Sequence, residues 1–226
     1  MYLVKAAWWL KAIYPSYIWH IAEAEKVMYL TFDDGPHATV TPFVLQQLQQ
    51  YNAKATFFCI GKNVVEQPTI YQQILNDGHS IGNHTHNHLN GWKTNDASYL
   101  NNIKLAEQSI QSNLFRPPYG RIKKSQAKQL MLRNTNMKIV MWDVLSGDFD
   151  TQLSPQKCLD NVLKNVTQGS IVVFHDSEKA FERLEYALPK TLEHFSNLGY
   201  TFKAISNSRF TVPSINYSSD FSASTN

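Results

Sequence analysis

Short apolar runs alternate along this chain with longer segments in which apolar residues recur at helical spacing. The short runs are rich in β-branched and aromatic residues, which is typical of buried strands. Seven such runs are found, at residues 27–32, 55–60, 79–82, 113–116, 138–143, 170–174 and 200–205. Because strands and helices alternate, the pattern favours parallel strands covered by helices. We therefore expect an α/β fold in a single domain, with a barrel-like sheet favoured over an open doubly wound sheet.

The helical segments carry start signals and apolar stripes. Thr41 followed by Pro42, and Ser154 followed by Pro155, are typical of a helix N-cap and first turn. A third helix is predicted from a stripe at spacings of four, three and four, formed by Tyr99, Ile103, Ala106 and Ile110.

Composition limits the classes of protein to which the chain can belong. Its 226 residues are 43% hydrophobic, enough for one large core, and a net charge of +3 is too small to indicate nucleic-acid binding. Cys59 and Cys158 stand far apart and are interpreted as small core residues. The apolar stretch at 6–10 is too short for a membrane span, and no signal-peptide cleavage site follows it, so we expect a cytoplasmic protein.

Three parts of the chain differ in composition. Residues 1–25 are rich in aromatic side chains and are expected to form an N-terminal extension that packs on the barrel. Residues 26–205 contain all the predicted strands and form the barrel domain. Residues 206–226 are rich in Ser and Asn and are interpreted as a polar C-terminal tail. No protein partner is predicted.

Polar residues cluster directly after the predicted strands. The clusters lie at 33–34, 84–88, 116–120, 143–148 and 175–176. The carboxyl ends of parallel barrel strands share one rim, where catalytic groups collect. We therefore expect these clusters to form one site.

The first cluster lies in T-F-D-D-G-P at residues 31–36. Adjacent residues of a regular strand face opposite sides of the sheet. Gly35 and Pro36 end the strand, so the chain can bend and bring both Asp33 and Asp34 to a common cavity. One carboxylate would then bind a metal ion while the other handles a proton. The alternative, an exposed turn, is disfavoured by the neighbouring clusters.

The second cluster, G-N-H-T-H-N-H at 82–88, contains three of the eight histidines. His84 and His88 are four residues apart, so a helical turn would place both imidazoles on one face, whereas His86 would project elsewhere. Together with one carboxylate, Asp34, they make a ligand set that leaves positions open for water and substrate. Ordinary structural or solvated roles are assigned to His20, His37 and His194.

The other clusters supply groups that metal-assisted hydrolysis requires. Arg116, in R-P-P-Y-G, is suited to a bidentate grip on a carboxylate, and its charge would keep that carboxylate ionised. Tyr119 and Gly120 can place a backbone N–H near a developing oxyanion. His175, in V-V-F-H-D, is suited to protonate a leaving group.

Five ordered motifs resemble those of a known family. T-F-D-D-G-P, H-T-H-N-H, R-P-P-Y-G, W-D-V-L-S-G-D-F and V-V-F-H-D are similar to the motifs of the polysaccharide deacetylases of the NodB homology type, carbohydrate esterase family 4. The likeness covers about residues 26–205, which would be the catalytic domain. It implies a deformed parallel (β/α) barrel and a metal-dependent hydrolase. The implied reaction removes N-acetyl groups from an N-acetylglucosamine-containing polysaccharide or oligosaccharide, of the chitooligosaccharide or peptidoglycan type, and releases acetate.

The resemblance also implies roles for individual residues. Asp33 would be the general base, oriented by Arg116. The metal ligands would be Asp34, His84 and His88, and the ion would be zinc or, as alternatives, cobalt, nickel or manganese.

Further roles concern the leaving group and the substrate. The Tyr119 backbone N–H would stabilise the oxyanion, and His175 would be the general acid, kept protonated by Asp148. Val173 would line the pocket for the acetyl methyl group. The other implied substrate contacts are Trp142, Phe149 and Pro118.

One residue departs from the family pattern, and two other functions stay open. Phe149 stands where the family commonly has Trp, which loses a hydrogen bond but keeps an apolar ring and puts the substrate range in doubt. Trp142 is either core or a sugar-stacking wall. One alternative is that the same site hydrolyses an O-acetyl ester on xylan or a cell-wall glycan instead. A catalytically silent carbohydrate-binding protein would lack the base, acid or ligands, all of which are present here.

Overall fold

One parallel sheet forms the centre of the molecule in this computed structural model, which describes residues 2–206. Within these residues the strands are β1 Val27–Asp33, β2 Thr56–Cys59, β3 Ser80–Asn83, β4 Leu114–Phe115, β5 Lys138–Ile139, β6 Val144–Leu145, β7 Ile171–His175 and β8 Thr201–Phe202. Seven strands follow the order β5-β4-β3-β2-β1-β7-β6, and β8 pairs with the start of β1. The sheet curls into an incomplete barrel, which confirms the predicted deformed parallel (β/α) barrel.

Helices connect the strands and cover the sheet. Within residues 2–206 they are α1 Trp8–Ile13, α2 Val40–Gln50, α3 Gly61–Glu66, α4 Pro68–Asn76, α5 Asp96–Ala106, α6 Lys124–Arg133, α7 Pro155–Leu163 and α8 Phe181–Asn197. The same part of the chain contains three short 3₁₀ helices, at Gly91–Lys93, Pro118–Gly120 and Glu178–Ala180.

Two predicted helix starts have different outcomes. Ser154 caps α7, and its hydroxyl accepts a hydrogen bond of 3.2 Å from the Lys157 amide, as predicted. The N-cap predicted at Thr41 is wrong, because α2 already begins at Val40. The Thr41 hydroxyl instead donates to the carboxylate of Asp176 at 2.6 Å.

The strand predicted at 138–143 is confirmed only at its first two residues, and the next strand begins beyond it, at Val144. Only Lys138–Ile139 and Val144–Leu145 have strand geometry, and they pair with β4 and β7 respectively. Between them, the carbonyl groups of Val140 and Met141 accept hydrogen bonds from Arg116 at 3.1 and 2.8 Å. The described residues therefore contain eight strands where the sequence predicts seven.

The centre of the sheet is β1, in which all seven residues are buried. It lies between β2 and β7, so that Asp33 is in register with Phe58 on one side and His175 on the other. The largest apolar cluster joins the sheet to the surrounding helices and includes both Cys59 and Cys158, which are buried and free, as predicted. This packing fixes the carboxyl end of β1 at the rim of the barrel.

The N-terminal segment covers the gap between β5 and β6. Lys5, Ile18 and His20 form bridges to Val144, Val140 and Ser170. The Ile18 amide donates to the carbonyl of Ile139 at 2.8 Å. Tyr17 and Trp19 are buried, whereas Trp8 is 80% exposed. The segment thus contacts the barrel, although part of its aromatic surface faces solvent.

The proposed domain boundaries at residues 25 and 205 stay a prediction. Met1 and residues 207–226, which include nearly all of the expected polar tail, lie outside the described residues. None of the helices in the described part of the chain has the length and apolar character that a membrane span needs.

Candidate active site

A cavity of about 650 Å³ opens at the carboxyl ends of the strands. Its lining comes from loops that follow β1, β3, β4, β6 and β7 and from the N-terminal segment. The side chains that concern the candidate site are Tyr2, Asp33, Asp34, His84, His88, Lys93, Tyr119, Arg121, Trp142, Phe149, Val173, His175 and Lys179. The structure therefore brings most of the polar clusters together on one rim, as the strand pattern predicts. Asp143 is the exception, because it pairs with Lys5, Lys11 and Ser170 and does not line the cavity.

The D-D-G-P turn gives two neighbouring carboxylates different surroundings. Asp33 is the last residue of β1 and is 4% exposed, whereas Asp34 turns out of the strand with φ 83°. Gly35 is required there, because a Cβ at this position would lie 2.0 Å from the carboxylate of Asp176. The Gly35 amide instead donates to that carboxylate at 3.0 Å, which holds the turn.

Asp34, His84 and His88 form a cluster that can hold a metal ion. One ligand atom from each residue lies within 4.8 Å of the others. Oδ1 of Asp34 is 3.7 Å from Nε2 of His84 and 3.2 Å from Nε2 of His88. The expected helical turn is absent from this segment, because Thr85 and His88 have φ angles of 64° and 55°. The two imidazoles nevertheless converge, with ring centroids 5.1 Å apart.

The protonation states in this cluster suit a divalent cation. Burial lowers the pKa of His84 to about 4, which keeps its imidazole neutral. Burial opposes ionisation of Asp34, but the close contact with His88 and the charge of His175 lower the pKa of this carboxyl overall. Nδ1 of His84 is 2.7 Å from the carbonyl of Arg116, which orients Nε2 towards Asp34. Oδ1 of Asp34 is buried and makes no well-aligned hydrogen bond in residues 2–206, as expected for an atom that binds a cation.

Arg116 anchors Asp33 in the interior of the barrel. Nη1 of the fully buried guanidinium lies 2.7 Å from Oδ1 of Asp33 and donates to the hydroxyl of Thr31 at the same distance. The guanidinium also stacks over the ring of Phe58, 4.1 Å from the centroid. The expected bidentate grip is wrong, because Nε and Nη2 donate to the carbonyls of the β5–β6 connection instead. Arg116 therefore fixes Asp33 by one hydrogen bond while binding three other groups.

His175 and Asp148 form a second pair across the cavity. Nδ1 of His175 is 2.8 Å from Oδ1 of Asp148, and the His175 amide donates to Oδ2 at 2.6 Å. Burial tends to lower the pKa of His175, but the charge and hydrogen bond of Asp148 raise it to about 9. The carbonyl of Asp148 is held in turn by the buried Arg183 at 2.7 Å. The imidazole is thus charged near neutral pH and faces the cavity.

The loop after β4 brings Tyr119 next to the cluster of ligands. Tyr119 has φ 61°, and its ring lies 4.6 Å from that of His88. Gly120 follows with φ 66°, and a Cβ there would meet the Trp142 ring at 2.5 Å. The Tyr119 ring therefore lies beside the ligand cluster, and Gly120 lies against the Trp142 wall of the cavity.

The remaining predicted contact residues divide into two groups. Val173, Trp142 and Phe149 line the cavity, and Trp142 also packs against the core. Sugar stacking by Trp142 stays a prediction. Pro118 is buried and does not line the cavity. The ring of Phe149 contacts His175 edge-on, with centroids 5.2 Å apart.

Two residues that position the site are not predicted for this role by any single motif. Asp176 clamps the D-D-G-P turn to α2 through Gly35 and Thr41, and burial raises its pKa to about 8. Its position directly after His175 is the only sequence signal for this role. Tyr2 lines the cavity, packs 5.0 Å from the Phe149 ring and donates to Asp150 at 3.1 Å. Nothing in the sequence around Tyr2 indicates this contact.

Comparisons with known proteins agree with this geometry. The family model for polysaccharide deacetylase matches residues 20–139. A peptidoglycan-N-acetylglucosamine deacetylase of Bacillus cereus is 36% identical over 194 residues, which are 83% of this chain and 90% of the relative. A chitooligosaccharide deacetylase of Azorhizobium caulinodans is 33% identical over 165 residues, 69% of this chain and 76% of the relative.

A solved structure agrees in fold as well. The Bc1960 peptidoglycan N-acetylglucosamine deacetylase superposes with a TM-score of 0.79 at 32% identity, over 86% of this chain and 94% of that protein. The family model covers more than half of the chain, and the resemblance seen in the motifs is thereby confirmed. The chain belongs to the polysaccharide deacetylase family, carbohydrate esterase family 4.

Proposed function

We propose that this protein is a metal-dependent hydrolase that removes N-acetyl groups from N-acetylglucosamine units of a polysaccharide or oligosaccharide and releases acetate. One observation carries the proposal. A ligand cluster of one carboxylate and two imidazoles shares a cavity with the Arg116-bound carboxylate of Asp33 and the charged imidazole of His175. Relatives named as deacetylases of peptidoglycan and chitooligosaccharides support the choice of substrate.

Asp34, His84 and His88 would hold the metal ion. Two imidazoles and one carboxylate suit zinc, and they also accept cobalt, nickel or manganese. When bound, such an ion polarises the acetyl carbonyl and makes water acidic enough to attack near neutral pH. The neutral state of His84 and the ionised state of Asp34 are the ones that this binding requires.

Asp33 would act as the general base. Its carboxylate lines the cavity next to Asp34, and the hydrogen bond from Arg116 fixes its orientation. Asp33 is therefore placed to take the proton of the attacking water.

Tyr119 and His175 would act on the oxyanion and the leaving group. The backbone N–H of Tyr119 is proposed to donate a hydrogen bond to the oxyanion as charge develops on the former carbonyl oxygen. An amine leaves poorly as an anion, so the nitrogen must be protonated as the bond breaks. His175 would supply this proton from the side of the cavity opposite the β3 and β4 loops. Asp148 raises the pKa of His175 and so keeps the imidazole protonated.

The apolar wall of the cavity would receive the acetyl group and the sugar. Val173 on β7 is proposed to contact the acetyl methyl, and Trp142 and Phe149 to contact the sugar rings. Phe149 offers no hydrogen bond, so it contributes to shape rather than to polar recognition.

The proposal is tested by measuring acetate release from N-acetylglucosamine oligomers and from O-acetylated xylan, with and without a chelator. We expect release from the N-acetylated oligomers, its loss on chelation and its recovery when zinc is added back. Release from acetylated xylan alone would replace this function with that of an esterase on the same site. Full activity in metal-stripped protein would contradict the metal dependence.

A further inference from the structure

Three cationic side chains line the cavity and have no part in the proposed reaction. They are Lys93, Arg121 and Lys179, and all three are exposed. Among residues 2–206 none of them forms an ion pair or a side-chain hydrogen bond with a carboxylate. We call these three residues the cationic rim.

The cationic rim flanks the reacting groups on two sides. Lys93 lies in the 3₁₀ helix after β3, and Arg121 directly follows the 3₁₀ helix after β4. Lys179 lies in the 3₁₀ helix after β7. Strand order places β3 and β4 on one side of β1 and β7 on the other. A glycan bound over Asp33 would therefore lie between cationic side chains on both walls of the cavity.

The positive charge of the rim is not balanced within the cavity. Among the described residues of the lining, the acidic ones are Asp33 and Asp34. Asp33 is paired with the buried Arg116, and Asp34 faces His84 and His88. Neither carboxylate is free to neutralise the rim, so the field at the mouth of the cavity attracts anions.

Arg121 packs against an aromatic ring at the edge of the cavity. Its guanidinium carbon lies 5.2 Å from the centroid of the Trp92 ring. Trp92 is itself held by a hydrogen bond of 3.2 Å from its indole N–H to the carbonyl of Ile122. A stacked guanidinium keeps its planar donors free, and these match the two oxygens of a carboxylate.

We infer that the cationic rim binds carboxylates on the glycan, and that the protein selects acetylated glycans whose sugars carry carboxylate substituents over neutral ones. This inference rests on the proposed function, because it names the class of substrate for the same cavity. The relevant carboxylates are substituents of the sugar rings next to the acetylated unit, such as the ether-linked lactyl group of muramic acid. A neutral glycan would fill the same cavity without these ion pairs.

The test uses two tetrasaccharides that differ only in charge. Both alternate N-acetylglucosamine and N-acetylmuramic acid, one with free lactyl carboxylates and one with lactyl carboxamides. We expect the zinc-loaded wild type to favour the carboxylate form by about 10-fold in kcat/KM, as for a few exposed ion pairs. Raising the salt concentration from about 0.05 to 0.5 M should reduce this preference, since exposed charges are screened.

Matched variants assign the preference to the rim. In the triple variant Lys93→Gln, Arg121→Gln and Lys179→Gln, the carboxylate-to-carboxamide ratio should fall to about 1. The control removes the same charge from exposed lysines outside the cavity by Lys104→Gln, Lys128→Gln and Lys157→Gln, and it should keep the wild-type ratio. Thermal unfolding of both variants establishes that they are folded.

The outcomes separate the inference from the proposed function. If the wild type deacetylates both tetrasaccharides without preference, or if the rim variant keeps the preference, the inference is overturned and the proposed function stands. If the wild type deacetylates neither tetrasaccharide nor a neutral N-acetylglucosamine oligomer, both are overturned. Preference in the wild type and in the control, with loss in the rim variant, supports the inference.

Discussion

Asp33 and Asp34 show how two identical neighbouring side chains acquire different chemistry. Asp33 ends a buried strand and meets the guanidinium of Arg116, whereas Asp34 leaves the strand at φ 83° and meets two imidazoles. The turn makes this division, because a regular strand would have sent the two carboxylates to opposite faces. One carboxylate can therefore take a proton while the other binds a cation.

The variant Asp33→Asn separates these two functions. The amide keeps the size of the side chain but cannot accept a proton, so acetate release should fall by at least about 100-fold. The ligands Asp34, His84 and His88 are unchanged, so zinc content per chain should equal that of the wild type. Asp77→Asn, on an exposed carboxylate outside the cavity, serves as the control. Wild-type turnover, or loss of zinc along with turnover, would contradict the assignment of Asp33 as base.

His175 is expected to set the alkaline limb of the pH–rate profile. Asp148 raises the pKa of this imidazole to about 9 against the effect of burial, so the general acid is protonated below that pH. The rate should therefore fall as pH rises through about 9. The same pairing stabilises the folded state, fully below the unfolded pKa of about 6.5 and progressively less as pH rises to about 9.

Asp148→Asn checks the origin of this limb. Without Asp148, the strongest effect that opposes burial is lost and the pKa of His175 should fall, so the alkaline limb should move to lower pH by at least about 1 unit. Asp160→Asn removes a carboxylate that pairs with Lys164 on the surface of α7, and it should leave the limb in place. An unchanged limb in Asp148→Asn would show that another group controls it.

At the scale of elements, the sequence predicts strands better than it predicts where they break. The run at 138–143 is continuously apolar, and apolarity alone favours one strand. The strand instead ends at Ile139, because Val140 and Met141 direct their carbonyls to the buried guanidinium of Arg116. Arg116 lies more than twenty residues away in the sequence, so the local pattern could not predict where this strand ends. The role of Thr41 also depends on a distant residue, because its hydroxyl donates a hydrogen bond to Asp176 instead of capping α2.

The N-terminal segment is attached to the barrel by charge as well as by backbone bridges. Asp143 is almost fully buried beside β6, and Lys5 and Lys11 each lie 2.8 Å from its oxygens. Burial opposes ionisation of this carboxyl, but the hydrogen bonds from Lys11, Lys5 and Ser170 lower its pKa to about 2. This contribution to stability is present above pH ~4 and is lost as pH falls towards 2.

Lys5→Met combined with Lys11→Met should leave Asp143 buried without its two lysine partners. Removing the partners of a buried charge typically costs ~3–5 kcal/mol. Because both lysines are about one third exposed, solvent screening reduces this to ~2–4 kcal/mol. At 2–4 °C per kcal/mol for a chain of this size, Tm should fall by roughly 5–15 °C in thermal unfolding. Lys62→Met, from the exposed pair with Glu66, should change Tm by less than about 2 °C. A small effect in the double variant would mean that the backbone bridges alone hold the segment.

For the molecule as a whole, topology explains why so much of the site could be predicted. In a parallel sheet every strand delivers its carboxyl end to one rim, so clusters far apart in sequence converge without further information. The cavity residues that the sequence does not predict come from parts of the chain outside the strand-end motifs. Tyr2 arrives from the N-terminal segment and Lys179 from a 3₁₀ helix beyond β7, and neither stands in a motif with His175 or Asp34. The same topology predicts Pro118 at the rim but cannot show that its ring is buried.

Metal binding should also join parts of the molecule that the chain connects only distantly. Asp34 follows β1, and His84 and His88 follow β3, so one ion would link two strands separated by β2 in the sheet. A ligand that binds only the folded state at about 100 times its Kd stabilises it by ~2.7 kcal/mol. Removing zinc with a chelator should therefore lower Tm by roughly 5–10 °C. His84→Ala should bind little zinc and show no chelator-dependent shift, whereas His194→Ala, on the exposed face of α8, should keep the wild-type shift. A shift that persists in His84→Ala would place the stabilising ion outside the cluster of Asp34, His84 and His88.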